Sequence, residues 1–270
     1  MIYLLNLKFI YFKMNVLSLQ IRNLVFILLI LFLSSCEKQY TTKIDSTEDV
    51  INSESQNRYP NKIALTFDDG PDKVYTELIL NILRDKNVKA TFFLIGNKMM
   101  ECPTVTKRIF SEGHCIANHT RNHFKLPGKS FKEVYKNMMW TEKIIDSVCG
   151  GSLKLFRPPF GKIRKEQRDN LSKYGFKVIM WDINSKDYDK KYSPDRIVNK
   201  VISEARNQAI VLFHSADYAG KESRTNTVEA LPKIIDLLKS KGYSFVKINE
   251  IVTTSLKYRF NENFIPDEDY

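Results

Sequence analysis

Ile63-Ala64-Leu65-Thr66-Phe67-Asp68-Asp69-Gly70-Pro71 is the stretch that decides how the chain is read. Ile63-Ala64-Leu65 is a short, nearly all-apolar run of the kind buried on both faces of a parallel sheet. Gly70-Pro71 breaks the strand, and from Val74 to Leu83 the apolar residues take up helical spacing. Asp68 and Asp69 therefore stand where a strand ends, which is where ligands and chemistry collect in parallel α/β folds. Side chains alternate along a strand, so the two carboxylates can face different targets. Like charges this close resist ionising together unless a cation lies nearby. A metal held by one would leave the other charged and free to act as a base. The same residues also read as an ordinary turn in which Asp caps the next helix. Both readings stand at this point.

Downstream, short apolar runs alternate with amphipathic ones. Strands are expected at 63–67, 90–95, 115–118, 153–156, 177–181, 209–213 and 244–246, and helices at 74–86, 103–112, 130–148, 164–174, 194–206 and 228–241. That alternation argues for a parallel α/β architecture, as a barrel or as a doubly wound sheet. No internal repeat is present.

Upstream, basic residues up to Arg22 precede an unbroken apolar stretch, Leu24 to Leu33, and then Ser34-Ser35-Cys36. The stretch is short for a membrane span and fits a signal peptide. Leu33-Ser34-Ser35-Cys36 resembles a bacterial lipoprotein signal, in which the cysteine is acylated and becomes the first residue. Residues 1–35 are thus expected to be a signal, with Cys36 lipidated; an uncleaved anchor is the alternative. Either places the domain outside the cytoplasm, in the cell envelope. The apolar residues before Met14 are unusual for a signal, so Met1 and Met14 are both candidate starts. Residues 36–58 are polar and aperiodic and read as a flexible tether. The folded domain is expected over 59–255, followed by a polar-aromatic tail, 256–270.

The net charge of +11 falls mostly outside the first 35 residues. No basic run is interleaved with aromatics, so nothing points to nucleic acid. Cys102, Cys115 and Cys149 are an odd number for an oxidising compartment, compatible with one disulfide and a free thiol or with three thiols.

The chain has only four histidines. His119 and His123 are four apart, one helical turn, so both imidazoles can face one point. With a strand-end carboxylate they would make two His plus one carboxylate, a catalytic metal pattern. Cys115 one turn earlier offers a rival Cys115/His119/His123 set, disfavoured because Cys115 sits in an apparent strand. Arg157-Pro158-Pro159-Phe160-Gly161 follows another strand, and its prolines hold the loop stiff. Arg157 is suited to pair with a buried carboxylate. Ile210-Val211-Leu212-Phe213 delivers His214 in the way that the first strand delivers Asp68.

Thr66-Phe67-Asp68-Asp69-Gly70-Pro71, His119-Thr120-x-x-His123, Arg157-Pro158-Pro159-Phe160-Gly161, Asp187-Tyr188 and Leu212-Phe213-His214 match in order the five motifs of the NodB-homology polysaccharide deacetylases, carbohydrate esterase family 4. Ala90 to Gly96, Ala230-Leu231-Pro232 and Lys241-Gly242-Tyr243 also look like that family. The likeness runs from about Ile63 to Ile251.

The resemblance implies a distorted (β/α)7 barrel and one divalent metal, usually Zn2+, sometimes Co2+ or Ni2+. By the family pattern Asp69, His119 and His123 would be the ligands and Asp68 the base. Arg157 would orient Asp68, and His214 would be the acid, tuned by Asp187. The Phe160 backbone N–H would bind the oxyanion. Leu212, Tyr188 and Pro159 would line the substrate pocket. Phe160, Tyr188, Asn184 and Ser215 depart from the family's usual Tyr, Trp, Asp and Asp. The activity implied is N-deacetylation of N-acetylglucosamine-type glycans such as peptidoglycan, chitin-like polymers or exopolysaccharide. Separately, the Cys36 signal leads us to expect a lipid-anchored protein, and a monomer is expected. Two alternatives are an O-acetyl xylan esterase with the same site and a non-catalytic glycan-binding lipoprotein, which should have lost a ligand, the base or the acid.

Overall fold

The computed structural model describes residues 61–254. The expected signal, tether, Cys36 and C-terminal tail lie outside the described residues. Eight parallel strands form the sheet: β1 (Asn61–Asp68), β2 (Thr91–Leu94), β3 (Cys115–Asn118), β4 (Leu155–Phe156), β5 (Lys177–Val178), β6 (Ile183–Asn184), β7 (Ala209–His214) and β8 (Tyr243–Phe245). Their order is β5-β4-β3-β2-β1-β7-β6, with β8 paired to the first half of β1.

The helices are α1 (Tyr75–Asp85), α2 (Gly96–Glu101), α3 (Pro103–Ser111), α4 (Phe131–Cys149), α5 (Lys165–Lys173), α6 (Pro194–Glu204), α7 (Thr225–Ser240) and α8 (Ile248–Thr254), with a 3-10 turn at Pro159–Gly161. Among the described residues, no helix is long and apolar enough to cross a membrane. Cys102, Cys115 and Cys149 are free thiols.

The central strands are buried on both faces, which is why their sequences read as continuous apolar runs. Ile63, Leu65 and Phe67 point into one apolar cluster with Phe92, Val211 and Phe213. Ala64 joins Phe93, Leu212 and Trp181 on the other side. Phe67 stacks between Phe92 at 5.1 Å and Phe213 at 5.6 Å, so the three middle strands interlock at one level.

The sheet is curled, and chain length explains why. The outermost strands, β5 and β6, are consecutive in sequence, ending at Val178 and restarting at Ile183. Seven strands laid flat would span about 29 Å between the outer axes. A five-residue step reaches at most about 18 Å. The edges must therefore bend back towards each other, giving the distorted (β/α)7 barrel. Among the described residues no ladder joins β5 to β6.

Two expectations fail locally. The strand expected over 177–181 stops at Val178, because the carbonyls of Ile179 and Met180 accept from the buried Arg157 side chain instead of a neighbouring strand. The segment from His119 to His123 is a turn, not a helix. The Asn118 side chain accepts from the Thr120 N–H at 2.8 Å, and the Thr120 hydroxyl accepts from the His123 N–H at 2.9 Å. Such local side-chain bonds compete with helix, and Thr120 and His123 both adopt positive φ, 69° and 56°.

Candidate active site

Four of the central strands, β1, β3, β4 and β7, deliver a polar group at or just beyond their carboxyl ends. Asp68 ends β1, directly across from His214 at the end of β7. Asp69 follows with φ of 69°, a left-handed conformation that Asp tolerates better than most residues. His119 follows β3 and Arg157 follows β4.

Asp69, His119 and His123 each offer one ligand atom, and these atoms all lie within 4.8 Å of one another. His119 Nε2 is 3.3 Å and His123 Nε2 3.2 Å from Asp69 Oδ1. The rival set with Cys115 does not form: its thiol lies back in β3, donating weakly to the Ile116 carbonyl at 3.8 Å. The donor set suits a divalent ion. Asp69 Oδ1 is buried yet has no hydrogen-bond partner among the described residues, a place an ion would fill. The His119 Nδ1–H donates to the Arg157 carbonyl at 2.8 Å, fixing the tautomer that leaves Nε2 as a ligand. Burial, reinforced by the neighbouring His119, pushes His123 down to about 3, so its imidazole stays neutral and available for coordination. Burial works against ionisation of Asp69, but the surrounding imidazoles of His119, His214 and His123 prevail and its carboxyl is held below the usual range.

Asp68 takes no part in that cluster. Its Oδ1 accepts from Arg157 at 2.8 Å, and its Oδ2 stands 3.9 Å from His119 Nε2. Arg157 is wholly buried and also donates to the Thr66 hydroxyl at 2.8 Å and to the Ile179 and Met180 carbonyls. The buried guanidinium engages one oxygen of this carboxylate and leaves the other free for chemistry.

His214 faces the cluster from β7. Its Nδ1 is 2.8 Å from Asp187 Oδ1, while Asp187 Oδ2 accepts from the His214 N–H and the Thr227 hydroxyl, both at 2.8 Å. Burial opposes a charged imidazolium, but the Asp187 carboxylate outweighs it, so the His214 pKa is raised and that of Asp187 lowered.

These groups open into a cleft of about 420 Å³. Asp68, Asp69, His119, His123 and His214 form its floor, with Phe160, Trp181, Tyr188 and Tyr218 as an aromatic rim. Arg157 and Asp187 lie behind the floor and support it. Leu212 is buried in β7 and Pro159 in its loop, and neither reaches the cleft surface. Phe160 adopts a left-handed φ of 59°, and Gly161 beside it leaves no room for a Cβ, which would sit 2.7 Å from the Trp181 ring. Tyr218, Arg224 and Thr227, absent from the sequence reading, also serve this site. Nothing in the local pattern singles out Tyr218 or Thr227, since each gains its role from a distant partner.

Comparison with known proteins agrees with this geometry. Residues 55–179 match the family model for polysaccharide deacetylase. The chain is 38% identical over 194 residues to a peptidoglycan-N-acetylglucosamine deacetylase of Bacillus cereus, covering 72% of this chain and 69% of the relative. It is 33% identical over 225 residues to a peptidoglycan-N-acetylglucosamine deacetylase of Listeria monocytogenes, covering 83% of this chain but only 45% of that protein. The crystal structure of a peptidoglycan N-acetylglucosamine deacetylase in complex with a naphthalenyl-N-oxidanyl-benzamide matches with a TM-score of 0.68 at 38% identity, over 72% of this chain and 89% of that one. On sequence, fold and site together, the chain belongs to the polysaccharide deacetylases, carbohydrate esterase family 4.

Proposed function

We propose that the chain is a metal-dependent polysaccharide N-deacetylase that hydrolyses the acetamide of N-acetylglucosamine units, with peptidoglycan as its substrate. One observation carries the reading: a candidate base, Asp68, and a candidate acid, His214, flank a three-ligand cluster in one cleft. A glycan-binding protein that had abandoned catalysis would have no need to retain all of them. The peptidoglycan assignment is supported by the substrates named for the Bacillus and Listeria relatives.

Asp69, His119 and His123 would hold the ion; two imidazoles and a carboxylate suit Zn2+, and Co2+ or Ni2+ fit the same donors. Held there, a divalent ion would lower the pKa of a water to near neutrality and polarise the acetyl carbonyl. Asp68 Oδ2 accepts the water's proton as its oxygen attacks the acyl carbon. The Phe160 N–H donates to the oxyanion that forms. An amine cannot leave as an anion, so His214 Nε2 gives it a proton as the C–N bond breaks, while Asp187 holds Nδ1. Acetate and a free amino sugar result. Tyr188 forms part of the wall against which the sugar lies. We further assign residues 1–35 as a signal, a lipid on Cys36, a tether over 36–58 and the catalytic domain over 59–255, which places the enzyme in the cell envelope.

Asp68→Asn should lower acetate release by about 10²- to 10⁴-fold while bound metal, measured by elemental analysis, stays near one ion per chain. Metal loss in that variant would show that Asp68 is a ligand and not the base. Acetate release from peptidoglycan, chitin oligomers and acetylated xylan, with and without chelator, tests the substrate class. Turnover of xylan esters alone would replace the reading with O-deacetylation.

A further inference from the structure

His119 and His123 are held in place by different means. The Nδ1–H of His119 donates to the Arg157 carbonyl. The Nδ1 of His123 is buried and has no hydrogen-bond partner among the described residues. A ligating histidine is normally oriented by a hydrogen bond through its second nitrogen, so His123 needs another restraint. Two aromatic rings provide one. Tyr218 lies face-on to His123, with centroids 4.3 Å apart and planes 19° apart. Phe160 meets the same imidazole edge-on at 4.6 Å and 68°.

Tyr218 is 48% exposed, so core burial does not explain its position. The loop that carries it does. The Asp217 carboxylate accepts from the Lys221 and Glu222 N–H groups at 2.7 and 3.2 Å and pairs with Arg224 at 3.3 Å. Arg224 also donates to the Ala216 carbonyl at 3.0 Å, and Lys98 Nζ donates to the Asp217 carbonyl at 2.5 Å. Asp217 and Arg224 are both buried, and a buried pair is tolerated only when its remaining donors and acceptors are satisfied. Here they are met on both sides of Tyr218, which fixes that residue's backbone.

We propose that Tyr218 is a positioning residue: its ring, braced by Asp217 and Arg224, replaces the missing hydrogen bond at His123 and keeps Nε2 aimed at the site shared with Asp69 and His119. This rests on the reading of those three residues as metal ligands. The stacked ring, not the hydroxyl, is the working part.

The test measures Zn2+ transfer from the full-length protein to a chromophoric chelator, without substrate, alongside the visible spectrum of the Co2+-loaded form. Tyr218→Ala and Tyr218→Leu should weaken Zn2+ binding about ten- to a hundredfold and alter the Co2+ bands, whereas Tyr218→Phe should stay within about twofold of wild type. The metal-free melting temperature should be the same in all four proteins. Full affinity in the Ala or Leu variant would overturn the proposal, as would a metal-free melting temperature that falls in step with affinity. Wild-type protein that binds no Zn2+ would overturn the ligand reading as well; wild-type binding indifferent to Tyr218 removes only this inference.

Discussion

Asp187 grips His214 at both its backbone N–H and its ring, and this double contact sets the pH behaviour of the site. The raised His214 pKa means its contribution to stability is fully present below the unfolded value of 6.5 and is lost as pH rises through the folded value. The lowered Asp187 pKa means its contribution is present above 3.8 and is lost as pH falls through the folded value. The pair is therefore at full strength between those limits. As an acid, His214 works only while protonated. Asp187→Asn removes the largest contribution that opposes burial, leaving only the charges of Asp69 and Asp68, so the alkaline limb of kcat/KM should move to lower pH by about one unit or more. A pH–rate profile checks this, and an unmoved limb would remove His214 from the acid role. At this scale the sequence disclosed the residues that carry chemistry in their own side chains. It concealed Thr227 and Tyr218, because a threonine behind an aspartate and a tyrosine over a histidine acquire meaning only when strands far apart in the chain are brought together.

Arg157 acts between elements. From the end of β4 its side chain reaches Thr66 and Asp68 on β1 and the two carbonyls beyond β5, while its own carbonyl takes the His119 ring. The guanidinium also lies 4.1 Å over the Phe93 ring of β2. A lysine has no planar fork with which to reach these acceptors together. Arg157→Lys keeps the charge but leaves buried acceptors unpaired and should cost about 1–3 kcal/mol, read from urea unfolding, with acetate release falling alongside. A loss below about 1 kcal/mol, the value of an exposed pair, would mean that the fork is not needed. The elements themselves were legible in proportion to their apolar length. β1, β3 and β7 announced themselves as apolar runs, and the helix expected from 130 begins at Phe131, where the structure shows Ser130 and Glu133 forming a capping box. β5 was expected but drawn too long, to 181, and β6 was missed, since Ile183-Asn184 is too short for any period. The His119–His123 turn was misread as helical because a spacing of four serves a helix and a tight turn equally well.

For the molecule as a whole, the alternation of apolar runs disclosed most of the strands and helices, though not β6, α2 or α8, and left a barrel and a doubly wound sheet both open. Only the family resemblance implied the curled barrel, whose physical cause is that the edge strands are neighbours in the chain. Attachment to the envelope is the whole-chain property open to test. Cys36→Ser should move the protein from the membrane to the soluble fraction on cell fractionation while acetate release from a soluble glycan is unchanged. Retention in the membrane would instead favour the apolar stretch from Leu24 to Leu33 as an uncleaved anchor. The curl carries a consequence of its own. No backbone ladder seals the seam between β5 and β6 among the described residues, and the guanidinium that holds Asp68, the proposed base, also ties down the strip bordering that gap. A change at this one side chain would therefore loosen the scaffold and disturb the proposed chemistry together.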